Sequence, residues 1–187
     1  MNKFKIVALS TMLALSSFAA HADVYDFSYS FDNINTGNGN PVVVTGSLSG
    51  NLVGNLIQNI SNIQVAINGT AFNGPLIAEA FNNTTSNWDT TITPVVSTDA
   101  TLNNFIFADA DAANNPAAVT NLLSFANGNV FAINSNTTDA NLNPIQGYEA
   151  AVATKWSLTA AVPEPETYAM LMAGLALVSA VARRRQA

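Results

Sequence analysis

Cysteine is absent from the 187-residue chain, and histidine occurs once, at His21. Without thiols the fold holds without disulfides, and no cysteine nucleophile is available. With His21 in a leader segment (below), Ser-His-Asp triads and ordinary zinc sites are excluded from the rest of the chain as well. Positive charge is equally scarce: basic residues occupy only Lys3, Lys5, Lys155 and Arg183–Arg185. Between residues 23 and 161 ten carboxylates face Lys155 alone, ten less one, for a formal charge of −9. Such a domain repels phosphate backbones, so no nucleic-acid partner is expected.

The two ends are different in kind from the middle. Lys3 and Lys5 precede a largely apolar run from Ile6 to Phe18, and Ala20-His21-Ala22 places small residues around a cut after Ala22. That layout predicts a signal peptide over 1–22, handled by the secretion translocon and signal peptidase. At the other end, Pro163-Glu164-Pro165-Glu166 is an extended, anionic stretch, since each proline biases its predecessor away from helix. From Tyr168 to Ala182 there is no charge, and Arg183, Arg184 and Arg185 follow. About 15 residues make a helix of roughly 22 Å, short against a hydrocarbon core of about 30 Å unless the flanks snorkel. A short transmembrane helix with a basic cytoplasmic stop is expected.

Pro163, Glu164 and Pro165, followed by a short apolar helix and a terminal arginine cluster, resemble the PEP-CTERM sorting signal of Gram-negative bacteria. The resemblance covers residues 162–187. It implies recognition by an exosortase, a membrane-embedded transpeptidase-like enzyme, through an inner-membrane-anchored intermediate. It further implies removal of the tail and delivery to the cell surface or extracellular matrix, in the setting of exopolysaccharide and biofilm. No molecular activity is transferred to residues 23–161, because the domains that precede such tails are diverse.

Within 23–161 the pattern is β. Tyr25, Phe27, Tyr29 and Phe31 alternate with Asp26, Ser28 and Ser30, the mark of a half-buried strand. Val42, Val44, Leu48 and Leu52 share one parity, with Thr45, Ser47 and Ser49 opposite, and Gly46 and Gly50 mark candidate bends. Ile63, Val65 and Ile67 lead into Asn68-Gly69, a two-residue hairpin signal. Strands are also predicted over 75–81, 102–108 (buried on both faces), 130–133 and 149–159, and a short helix over 117–125. About eight strands without long helices predict an all-β domain, an antiparallel β-sandwich of jelly-roll-like type.

The residues available for chemistry are carboxylates, hydroxyls and Lys155. Glu79 and Glu149 form a hydrolase pair only if they converge in one cleft, and a non-enzymatic role is the expectation. Asp109 and Asp111, with Asn114, place oxygen ligands in one loop as calcium requires, although turn-making explains the same residues and no metal or cofactor is assigned. Trp88, between Asn87 and Asp89, is the candidate for carbohydrate contact, against burial as the commoner fate of tryptophan. The resemblance, together with the missing catalytic residues, implies a structural or adhesive matrix protein with exopolysaccharide as its candidate partner. A secreted carbohydrate-binding module is the alternative, and a carboxylate-based hydrolase a more distant one.

Overall fold

The computed structural model describes residues 23–32, 41–139 and 141–161, together with Met172, Gly174, Leu175, Val178 and Arg183, which are helical and exposed. The expected signal peptide with Ala20 and Ala22, and Pro163, Glu164, Pro165, Arg184 and Arg185, lie outside the described residues. Among those described, no helix is long and apolar enough to cross a membrane.

The rest is β structure in two antiparallel sheets. The strands are β1 (Asp23–Ser30), β2 (Val43–Val53), β3 (Leu56–Ile67), β4 (Thr70–Ala71), β5 (Ile77–Asn82), β6 (Asn87–Asp89), β7 (Val96–Ser97), β8 (Phe105–Ala108), β9 (Asn121–Ala126), β10 (Asn129–Thr138), β11 (Pro144–Ala150) and β12 (Trp156–Ala160). The first sheet runs β12-β1-β2-β3-β4, with β7 on the far part of β3, and the second runs β11-β10-β9-β8-β5-β6. Several of the twelve strands are two or three residues long, which is why fewer were legible as periodic runs. The jelly-roll order is not the one found. Hairpin neighbours stay side by side within one sheet as meanders, rather than forming two interlocked Greek keys.

The period-two reading of β1 holds. Tyr25, Phe27, Tyr29 and Phe31 are buried while Asp26 and Ser30 are exposed. Their rings meet the second sheet directly: Phe27 lies 6.0 Å from Phe107 and Tyr29 5.5 Å from Phe125, centroid to centroid. Trp156 joins the same cluster, 4.9 Å from Phe125, and its indole N–H donates to the Ser97 carbonyl at 2.7 Å. Such offset and edge-on pairs contribute about 0.5–1.5 kcal/mol each beyond area burial. One core of aromatic and aliphatic side chains therefore draws on both sheets.

Gly46 does not mark a bend. A Cβ there would run into the Phe27 ring and the Gln64 carbonyl, so the missing side chain is the space the ring occupies. Gly147 does the same for Phe31. Asn68 and Gly69, at φ 48° and 81°, form the two-residue turn between β3 and β4, and Asn68 Oδ1 accepts from the Val43 N–H at 2.8 Å. Both residues at positive φ is what a type I′ hairpin requires.

Three expectations are corrected. Residues 121–126 are a strand, not part of a helix, because Leu123 and Phe125 face the core at period two beside Phe107 and Phe105. The single strand expected over 149–159 is two strands in different sheets, β11 and β12, joined by a 3-10 turn at Ala153–Lys155. Leu52 is 53% exposed rather than in the core. The last pair between β1 and β2 is Asp23 opposite Gly50, and Leu52 lies two residues past it, opposite Ile57 of β3, which β7 flanks on its other side.

Candidate functional site

Alternation places a polar face on the outside of the first sheet. One cross-strand row is Thr159, Asp26, Ser47 and Gln64; the next is Ser157, Ser28, Thr45, Ala66 and Ala71. These side chains line an open groove of about 490 Å3, with Phe27, Gly46 and Val65 beneath. The small side chains of Ala66 and Ala71 keep it open at one side. Five hydroxyls each donate and accept, the Gln64 amide does both, and Asp26 supplies the one carboxylate. This lining can hydrogen-bond a polyhydroxylic or otherwise hydrated surface. It holds no second titratable group for acid–base work.

The two glutamates do not meet. The row through Glu79 continues across Ile106, Ser124 and Phe131 to Tyr148, one residue short of Glu149, so the carboxylates point to opposite faces of the second sheet. Four inter-strand steps also separate β5 from β11, about 19 Å at ~4.8 Å each. Glycosidase pairs sit within about 10 Å. Each glutamate instead has a structural post. Glu79, fully buried, accepts from the Ala112 and Ala113 N–H groups at 2.9 and 3.0 Å and pins the 109–120 loop over the second sheet. Burial pushes its carboxyl up, partly offset by those two donors.

Glu149 ties the sheets together at one end. It accepts from the Tyr29 hydroxyl at 2.7 Å, the Asp32 N–H at 2.9 Å and Lys155 Nζ at 2.6 Å, while Lys155 also reaches Asp32 Oδ1 at 2.8 Å. Partial burial raises the Glu149 carboxyl, but the hydrogen bonds from Lys155, Tyr29 and the Asp32 N–H outweigh it and hold the group below the usual range. Burial, and then the bond to Glu149, push the Tyr29 phenol up. For Lys155 burial acts in the opposite direction but is overcome by its two carboxylate partners, Asp32 and Glu149, which together raise the ammonium. The domain's single cation thus carries its charge in an ion pair and is no nucleophile at neutral pH.

Asp109 and Asp111 are turn-makers in the structure. Asp109 takes the Thr120 and Asn121 N–H groups at 2.9 and 3.1 Å and the side chains of both residues. Asp111 takes the N–H and side-chain amide of Asn114 at 2.8 and 2.9 Å. Among the described residues no group of three metal-type side chains converges. Trp88 stands on β6, half-buried, edge-on to Phe81 at 5.3 Å and against the small apolar cluster under the 109–120 loop. Tyr148 is more open, 56% exposed on the outer face of the second sheet beside Phe131. Sequence reading missed it, although inward Ile145 and Gly147 at period two imply that it faces out. The groove was likewise legible only as separate polar parities.

The last strand ends at Ala160, and the Ala161 N–H still bonds to the Val24 carbonyl at 2.8 Å. From that point a family model matches: residues 161–186 correspond to the PEP-CTERM protein-sorting motif. This motif marks an exported protein with a membrane-anchored intermediate that an exosortase recognises. No curated protein matches the chain, and no solved structure does.

Proposed function

We propose that this chain is a non-enzymatic protein of the cell surface or extracellular matrix, adhesive towards exopolysaccharide through the groove of its first sheet. In this reading the leader is cut after Ala22. A short transmembrane helix within 168–182 then holds the intermediate until the exosortase acts, and residues 23–161 are a β-sandwich whose halves are the two sheets. The motif at 161–186 supports delivery to the outside. The observation that carries the rest is the groove lining, five hydroxyls, one amide and one carboxylate with no catalytic partner. Dense donors and acceptors along an open groove suit the hydroxyls of a hydrated polymer, with bridging waters contributing. The absence of a cation from the lining argues for a neutral polymer over a polyuronate.

The test is co-sedimentation of the exported protein with an insoluble neutral glucan and with calcium-gelled alginate. The expected result is retention on the glucan and none on alginate, with retention lost in a Thr45→Arg variant whose melting temperature is unchanged. Equal retention of that variant would move the contact away from this groove.

A further inference from the structure

The tip of the β2–β3 hairpin lies at the same end of the first sheet as the C-terminal end of β12. Strand β12 is antiparallel to β1, as is β2, so β12 and β2 run the same way. Ala161 leaves level with Val24, which pairs with Ser49, whereas β2 continues to Val53. Three residues beyond Gly50 amount to about 10 Å of extra strand. At the tip Leu52 and Val53 are 53% and 54% exposed, paired with Ile57 and Leu56 around Gly54-Asn55. Val24 and Leu102, both exposed, lie at the same end, Leu102 in the turn that follows β7 where β7 reaches Leu56. Bare aliphatics are unusual at the end of a hairpin, which natural sheets ordinarily blunt with charge. In a domain of charge −9, no charged residue occurs between Asp32 and Glu79, so the whole hairpin is neutral.

The chain length outside the domain says what meets this tip. Seven residues, 162–168, separate Ala161 from the start of the apolar tail segment, and even fully extended they reach at most about 25 Å. On a leash of that length the exit end of the domain stays within about 25 Å of the surface in which the tail is held. We infer that, in the anchored intermediate, the Leu52-Val53 tip rests in the interfacial layer of the lipid bilayer, with Val24 and Leu102 beside it. The inference rests on the sorting reading of the tail. Two or three aliphatic side chains bind lipid weakly alone, but tethering makes the contact intramolecular, at an effective concentration in the millimolar range. Its consequence is orientational: the tip and the tail form two points of support, which hold Pro163-Glu164-Pro165 at a set height for the processing enzyme.

The absence of cysteine makes the test clean. Full-length protein carrying one environment-sensitive fluorophore is reconstituted in phosphatidylethanolamine/phosphatidylglycerol vesicles containing doxyl-labelled lipid. Single labels are placed at Val53→Cys, at Val178→Cys in the tail, and at Ser30→Cys at the opposite end of β1; all three positions are exposed, so the fold tolerates the change. Quenching at 53 and 178 but not at 30, with the signal at 53 abolished by a further Leu52→Glu change, is the expected result. Quenching at 178 alone overturns the docking and leaves the anchor standing, whereas no quenching at 178 overturns both. A label at 53 that is unquenched in vesicles yet protected in cells making the exosortase assigns the tip to that enzyme instead, and the lipid contact is overturned.

Discussion

The Tyr29 hydroxyl donates to Glu149 Oε1 at 2.7 Å, from the strand beside the edge of one sheet to the edge strand of the other. The same hydroxyl accepts the Val152 N–H at 3.2 Å, so it also fixes the start of the crossover between β11 and β12. A tyrosine whose ring packs in the core while its oxygen serves a carboxylate and a turn fixes how the sheets meet at this end.

Tyr29→Phe therefore removes a donor from a partly buried carboxylate and strands a backbone N–H, and is expected to cost about 1–3 kcal/mol. Asp32→Asn removes only the exposed arm of the Lys155 pair and is expected to cost under ~1 kcal/mol. Urea unfolding of the two variants tests the ranking. Equal losses would mean the hydroxyl is incidental.

Acid should destabilise the domain through its carboxylates. Burial raises the Glu149 and Asp109 carboxyls, but hydrogen bonds from Lys155, Tyr29 and the Asp32 N–H to the first, and from Thr120 and Asn121 to the second, together hold both below their ordinary values, as the Asn143 and Asn141 donors do for Asp139. Their unfolded forms take up protons first, so stability is full above about pH 4.5 and falls as the pH drops through the folded values. Glu79, pushed up by burial, acts in the opposite sense, losing stability as the pH rises past the unfolded value. Urea midpoints at pH 3 and 7 should fall with acid, and the drop should be smaller in Glu149→Gln. An identical drop would place the acid sensitivity elsewhere.

Two glycines should respond differently to alanine. Gly46→Ala puts a methyl against the Phe27 ring and a backbone carbonyl that cannot swing away, an overpacking loss of about 1–3 kcal/mol or more. Gly54→Ala has open space around it and pays only for its φ of +67°, about 1 kcal/mol. Thermal melts compare them, and a milder Gly46 variant would count against the close seating of Phe27.

Replacing Pro163, Glu164 and Pro165 with alanine lies beyond the last strand, so the melting temperature should hold while release from the cell stops. Intact mass of the protein collected outside native cells reads the outcome. A normal, tail-less mass from this variant would rule out recognition of these three residues.

Much of the fold could be read in advance. Tyr25 to Phe31 announced a buried strand face and Asn68-Gly69 a hairpin, both as found; of the strand expected over 102–108 only Phe105–Ala108 forms one, buried throughout, while Leu102 is exposed at the end of a 3-10 turn. Residues 121–126 were harder, because Asn-Leu-Leu-Ser-Phe-Ala suits helix and strand alike, and only Phe105 and Phe107 on the neighbouring strand settle it. Asn59 and Asn62 were illegible for another reason. Each sits at positive φ where the β2–β3 register slips by one residue, and such bulges obey the partner strand rather than local preference.

What the sequence determined by itself is local: which side chains share a strand face, where the chain turns, and the sorting motif carried in a contiguous run of residues. Each depends on neighbours a few positions apart, through the pleat, the φ preferences of asparagine and glycine, or an unbroken apolar segment. The tertiary structure decided what depends on pairing between distant segments. Strands β11 and β12 fell into different sheets, Glu79 and Glu149 onto opposite faces, and Leu52, of core parity, past the last β1–β2 pair and into an exposed position. Period two states that a residue faces one side of its strand; only the strands packed around it decide whether that side is core, groove or water.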